Sequence, residues 1–322
     1  MIISEIITGI MMTIVHELLS ITSITTNFSS LYNNPLFILT ILFLACIIIG
    51  FIAPLAGVGG GVLFTPIMMA FTNVHPNIVR LTGLMLATCS SFTAAKPYLR
   101  QNLANYNLVL ISALPGSIGA ILGSYMGIYI AMLGASGRAV INLLLGLIAV
   151  FAASLMISRK SIDYPSQKGI KSTLSDMLGL SSSYYDKAIN KIVEYKVMNI
   201  PWLIITLFGI GFVSGMFGLG AGWLVVPVYN IIGQLPLRVA SASSSAILGI
   251  NDTAAMWVYI NSGAFIPAFT VPCVVGVMIG AYLGAKVMPK VKVKVIRWLV
   301  IAVLLVASIR LIISALPVLM GW

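Results

Sequence analysis

The stretch GFIAPLAGVGGGVLFTPIMM, Gly50 to Met69, decides how this chain is read. It places four glycines (Gly57, Gly59, Gly60, Gly61) and two prolines (Pro54, Pro66) inside an otherwise apolar run. Glycine is a poor helix former, and an unwound backbone in lipid leaves its polar groups without partners. A break at that place needs a purpose.

The rest of the chain sets the solvent. Of 322 residues, 60% are hydrophobic and 8% charged, and the mean hydropathy is +1.08. A water-soluble protein of this size cannot hide so much apolar surface, so the surroundings are lipid. The net charge of +11 lies between apolar runs rather than in a patch. That is the distribution of topology determinants, and it excludes nucleic acid as a partner. Cys46, Cys89 and Cys273 fall in apolar segments without paired or ligand-like spacing and read as packing residues. His16 and His75 are isolated, so neither a metal site nor a cofactor is expected. At the N-terminus, Glu5 stands where a signal peptide would be basic. Apolar residues from Ile2 to Leu19 recur at helical spacing opposite Glu5, Thr8, His16, Glu17 and Ser20. This reads as an amphipathic helix in the interface or against the bundle rather than a span.

Apolar runs of spanning length begin near Leu36, Leu81, Asn107 and Arg138, and again near Ile200, Val239, Ala264 and Lys294. Two shorter runs, Val62 to Phe71 and Trp223 to Ile232, follow the glycine clusters. The halves match. GFIAPLAGVGGGVLFTPIMM aligns with GFVSGMFGLGAGWLVVPVYN, Gly211 to Asn230, pairing Gly57 with Gly218, Gly59 with Gly220, Gly61 with Gly222 and Pro66 with Pro227. With a one-residue gap, Pro76 meets Pro236 and Phe92 meets Asp252; further on, Gly119 meets Gly276 and Gly123 meets Gly280. Four regions result: an N-terminal helix and loop (1–36), repeat 1 (37–158), a polar segment (159–199) and repeat 2 (200–322). The polar segment holds seven basic and four acidic residues and is expected to be cytoplasmic, with a helix from Tyr184 to Val197. Counting each short run as a crossing puts Lys96, Arg100 and the lysines from Lys286 to Lys294 on that same side. The fold class is therefore an all-α polytopic membrane protein of two inverted repeats of about five helical segments each. Treating the short runs as re-entrant would make the halves parallel and strand those last lysines outside.

Interrupted helices in inverted repeats build substrate sites near the bilayer middle. A helix start after a glycine break presents free N–H groups and partial positive charge, a seat for an anion. The candidate lining is Gly59, Gly60 and Gly61, then Gly220, Ala221 and Gly222, with Ser90, Ser91, Ser244 and Asn251 from the hydroxyl-rich segments that follow. The alternative for the glycines is close helix packing, which suits Gly119/Gly123/Gly127 better than three adjacent glycines. Asp252 is the only acid in the repeat cores. It is a proton-coupling candidate, or a structural partner, for example of Lys96, or a residue nearer the interface.

The two G-x-G-[GA]-G-x-x-x-x-P motifs, Gly57 to Pro66 and Gly218 to Pro227, each precede a Ser/Thr-rich segment. With the P-x-x-x-G-x-x-x-G segment late in each half, they resemble the sulfite exporter TauE/SafE family, also called the toluene sulfonate uptake permease family. The resemblance spans roughly Phe37 to Leu316. It implies transport of small sulfur-containing anions such as sulfite, sulfonates or thiosulfate, with protons as the coupling ion. The polar segment is long for the family, and Asp252 is not part of the family's usual pattern. The expected function is a secondary active transporter in the cell membrane rather than an enzyme, and a homodimer is a candidate assembly. The rival of another class is a passive anion channel.

Overall fold

The computed structural model describes residues 35–56, 59–100, 105–158, 173–186, 191–220, 222–287 and 293–320. The expected N-terminal helix, Ala221 and the side chains of Lys96, Arg100 and the lysines from 286 to 294 lie outside what it describes. The first half runs α1 (Pro35–Ala56), α2 (Gly60–Phe71), α3 (Pro76–Arg100), α4 (Tyr106–Met132) and α5 (Gly134–Ser158). The second half runs α7 (Ile200–Phe217), α8 (Gly222–Ile231), α9 (Leu237–Asn261), α10 (Pro267–Val287) and α11 (Val293–Met320). Between them lie a short α6 (Thr173–Met177) and the strands β1 (Ser181–Asp186) and β2 (Lys191–Lys196).

The helices are inside out by the standard of a soluble protein. On α4 the buried face is Gly116, Gly119, Ala120, Gly123, Ser124 and Gly127. Leu114, Ile118, Leu122, Tyr125 and Tyr129 face outward at helical spacing. Large apolar side chains outside and small ones inside suit lipid, where association depends on close backbone packing rather than on escape from water. Among the described residues five helices, α4, α5, α7, α10 and α11, are long and apolar enough to cross a membrane. Helices α3 and α9 carry the hydroxyl-rich segments and pack on each other, with most of their hydroxyls (Thr82, Thr88, Ser90, Ser91, Ser243 and Ser244) buried.

The packing is preserved when the halves are exchanged. The first helix of each half lies on the fourth of the other (α1 on α10, α7 on α4), while α3 pairs with α9 and α5 with α11. A β-carbon on Gly127 would stand 2.7 Å from the Met216 carbonyl oxygen, while Gly119 lies against Phe208, so α4 and α7 run in the same direction. Gly276 against Phe43 and Gly284 against Phe51 give α10 and α1 the same relation. By contrast α3 and α9 are antiparallel: Phe92 lies on Gly249, and Arg80 lies beside Tyr259. So are α5 and α11, since Gly146 meets Ser308 and Ile312 while Arg138 and Asn142 share a cleft with Ser314 and Val318. The glycine ladders match one helical turn away from the sequence alignment. Gly119 meets the Phe208 carbonyl oxygen and Gly280 the Ile47 carbonyl oxygen, and these are equivalent positions of α7 and α1.

Where a helix was expected from Tyr184 to Val197, the chain forms an antiparallel hairpin with Tyr184 opposite Val193 and Ser182 opposite Tyr195. Burial has period two here: Val193, Tyr195 and Val197 turn inward while Ile192 and Glu194 are exposed. Leu180, Tyr184, Tyr195 and Val197 join the apolar cluster of Leu108, Leu203, Val225 and Val239. The Asn105 amide donates to the Tyr195 hydroxyl at 3.3 Å, and its side-chain oxygen caps α4 by accepting from the Leu108 N–H at 3.0 Å. The hairpin is thus fastened to the bundle end where α4 and α9 begin. Cys46 of α1 and Cys273 of α10 are free and buried, and they neighbour each other across the two halves.

Candidate functional site

Helix α2 begins without a side-chain cap of its own, since its cap position is Gly59 in an extended conformation. A distant residue supplies the partner instead. The Gly60 N–H donates to Ser90 Oγ at 3.4 Å, and Ser90 Oγ donates to the Ala87 carbonyl oxygen at 2.9 Å. The second break is a left-handed turn: α7 stops at Gly218 with φ +67°, and Gly220 has φ +68°. Only glycine takes such angles at little cost.

The breaks meet along one side of α3. A β-carbon on Gly61 would stand 2.5 Å from the Gly83 carbonyl oxygen and 2.6 Å from that of Leu219, which belongs to the other break. Thr65 Oγ1 donates to the Gly218 carbonyl oxygen at 2.8 Å. Ala87 lies between the two, in ordinary contact range of Gly59 and tight against Gly220. The glycines therefore let two polypeptide turns and a third helix approach at backbone distance.

Asp252 completes the cluster. It is fully buried, one carboxylate oxygen accepts from Ser214 Oγ at 3.0 Å, and the other has no hydrogen-bond partner among the described residues. That free oxygen faces Gly220, where a β-carbon would stand 3.2 Å away.

The structure brings Gly59, Gly60, Gly61, Ser90, Gly220 and Asp252 together. Ser91 is buried one residue further along α3. Gly222 starts α8 against Leu248. Ser244 and Asn251 are engaged elsewhere: Ser244 Oγ donates to its own helix at Ser241, and Asn251 accepts from Ser117 of α4 at 3.0 Å. A cleft of about 410 Å³ between α5 and α11 includes Arg138, Asn142 and Ser314 and none of the candidate residues.

Sequence reasoning missed Gly83, Ala87, Thr65 and Ser214, which carry no chemical signature. It also passed over Arg80, for which a signal existed, because a charge within an apolar run is as costly as Asp252. Arg80 is fully buried one turn into α3.

Comparison with known proteins agrees with this architecture. The family model described as "Sulfite exporter TauE/SafE" matches residues 42–311. The chain is 26% identical over 276 residues to the "Probable membrane transporter protein YunE" of Bacillus subtilis (strain 168), covering 83% of this chain and 94% of that protein. It is 21% identical over 284 residues to the "Probable membrane transporter protein YfcA" of Escherichia coli (strain K12), covering 88% and 93% respectively. A "Probable membrane transporter protein" of Xylella fastidiosa (strain 9a5c) is 24% identical over 203 residues, 63% of this chain and 66% of the relative. No solved structure matches the chain. With both halves and both breaks inside the matched region, the chain is a polytopic membrane protein that belongs to the TauE/SafE sulfite exporter family.

Proposed function

We propose that the protein is a secondary active transporter of small sulfur-containing oxoanions, working by alternating access around its two glycine breaks. The observation that carries this reading is the convergence of the breaks, one from each half, on Ala87. Gly60 at the start of α2 contributes the positive end of a short helix, and Ser90 a neutral hydroxyl, a combination that replaces part of an anion's hydration. The antiparallel pairing of α3 with α9 and of α5 with α11 supports two repeats of opposite orientation. A two-fold that exchanges antiparallel membrane helices lies in the membrane plane. In this reading the segment 159–199 faces the cytoplasm, and Asp252 carries the coupling proton, gaining and losing it as the site alternates. Ionised carboxylates at membrane depth are costly, so one with a free oxygen beside the substrate break suits that role.

The test is a counterflow panel in proteoliposomes comparing sulfite, thiosulfate, methanesulfonate, sulfate and acetate. Exchange of the sulfur anions, driven uphill by an imposed pH gradient, is expected. Competition by carboxylates or cations alone removes the sulfur-anion reading. Flux that never accumulates substrate against its gradient makes the protein a channel.

A further inference from the structure

Among the described residues Arg80 is the largest fully buried side chain, on the same side of α3 as Ala87 and two helical turns nearer its start, about 10 Å along the axis. Its surroundings hold only one edge of the guanidinium. Nη1 donates to the Gly127 carbonyl oxygen at 2.8 Å and to Asn77 Oδ1 at 3.3 Å. The Tyr259 hydroxyl lies beside it and is itself committed as a donor toward the Gly215 and Met216 carbonyl oxygens. Among the described residues Nε and Nη2 have no hydrogen-bond partner. Among the described residues no carboxylate is within ion-pair distance of Arg80, the one such pair being Lys196 with Asp176. Asp252, the other fully buried charged residue, is turned to Ser214 and Gly220 instead. Arg80 also belongs to the breaks, because Gly218 is packed directly onto its Cα and Cβ.

A buried guanidinium with a free Nε–Nη2 edge is an unfinished interaction. That edge presents two parallel N–H groups, which match two oxygens of one oxoanion, and arginine stays charged at any working pH. We propose that Arg80 is an anion-binding residue of the transport path: a sulfite- or sulfonate-type oxoanion is held bidentately by Nε and Nη2 beside Gly218. This station lies at the end of the bundle away from the hairpin and precedes or follows the Ala87–Ser90 cluster along α3. Gly127 is part of its construction, since a β-carbon there would stand 2.9 Å from the Tyr259 hydroxyl and 3.1 Å from Nη1. The second half offers no counterpart, as the residue aligned with Arg80 is Ala240.

The inference rests on the oxoanion-transport reading, and equilibrium binding of radiolabelled sulfite and thiosulfate to the purified full chain in nanodiscs separates the two. The wild-type protein is expected to bind at least one of them. Arg80→Gln should weaken that binding by about tenfold or more, as expected for loss of a charged bidentate contact. Arg80→Lys should fall between, keeping the charge and a hydrogen bond to Gly127 while losing the fork, and it should discriminate less between thiosulfate and chloride. No binding by the wild type sinks the transport reading and this inference together. Binding by the wild type and equal affinity in a folded Arg80→Gln sinks this inference alone. If Arg80→Gln does not fold, Arg80→Lys decides: unchanged affinity and unchanged selectivity against chloride show the arginine to be only a clamp on α4.

Discussion

Gly60 and Gly61 are adjacent, both glycine and both at the start of α2, yet the structure assigns them opposite tolerances. A β-carbon on Gly60 meets nothing closer than 3.5 Å, an ordinary contact with Leu86 and Val277. Gly60→Ala should therefore fold as well as the parent or better, by up to about 1 kcal/mol, because alanine replaces glycine in a helix. On Gly61 the same carbon would stand 2.5 and 2.6 Å from two carbonyl oxygens, where ordinary contact begins at 3.4 Å, so something must move by close to 0.9 Å. Both oxygens belong to backbone, one on α3 and one in the opposite break, and neither yields by a change of rotamer. Overpacking of this kind costs about 1–3 kcal/mol, and the propensity gain offsets part of it. The propensity gain is common to both, so the expected gap between the two variants is the overpacking cost, roughly 1–3 kcal/mol. Thermal unfolding in detergent should show it as a lower melting temperature for Gly61→Ala, on the order of 2 °C per kcal/mol. Counterflow in proteoliposomes should survive Gly60→Ala and fall steeply in Gly61→Ala, since the latter pries the breaks apart. Equal melting temperatures and equal transport in the two would refute the claim that the breaks touch at Gly61.

Three further outcomes are expected. Asp252→Asn keeps the shape and the bond from Ser214 but cannot lose a proton, so exchange of labelled for unlabelled anion should persist while pH-driven accumulation stops. Continued accumulation in that variant removes Asp252 from coupling. Oxidation with copper phenanthroline should join Cys46 to Cys273 within one chain, closing α1 onto α10, and Cys273→Ala should abolish the product. On the hairpin, Tyr195→Phe removes the bond from Asn105 and should cost about 1 kcal/mol, read as faster amide exchange over residues 191–196. The exposed Lys196–Asp176 pair adds a pH signature. The lysine's hydrogen bond holds Asp176 below the ordinary carboxylate value of 3.8. Its contribution is thus complete above the unfolded value and lost as pH falls through the lower folded one. Exchange protection of the hairpin should be flat from neutrality to about pH 5 and drop only below 3.8. A drop between pH 6 and 7 would show that another group controls it.

The fold was legible where chemistry repeats. Two glycine clusters, each followed by a short apolar run and a hydroxyl-rich one, located α2, α3, α8 and α9 to within a few residues, because lipid leaves the backbone few options besides helix. The hairpin was not read. Its Tyr/Val alternation is short, and a polar, charged segment of about forty residues offers no environment that would force one period over another. The candidate site was legible as a gathering of backbone, since Gly59, Gly60, Gly61 and Gly220 meet along α3. It was less legible as side chains, since a serine on a helix can satisfy itself one turn back, as Ser244 does, and nothing local distinguishes that from a lining hydroxyl. Contacts made by Ala87 or Gly83 depend on three elements meeting and have no trace in any one of them.

What the halves do not share bears most directly on mechanism. The scaffold packs alike in the two halves at the level of backbone: the same helices pair, and the glycine ladders interlock at equivalent turns. The polar groups do not. Thr65, which ties α2 to Gly218, is matched by Val226; Ser214 is matched by Ala53, Asp252 by Phe92 and Arg80 by Ala240. Each of these polar members lies against the second break, at Gly218 or Gly220, or in contact with a residue that does. In the proposed cycle the carboxylate and the guanidinium both bear on the second break, so an anion and a proton would act on the same turn of chain, whereas among the described residues the first break is capped by the neutral Ser90.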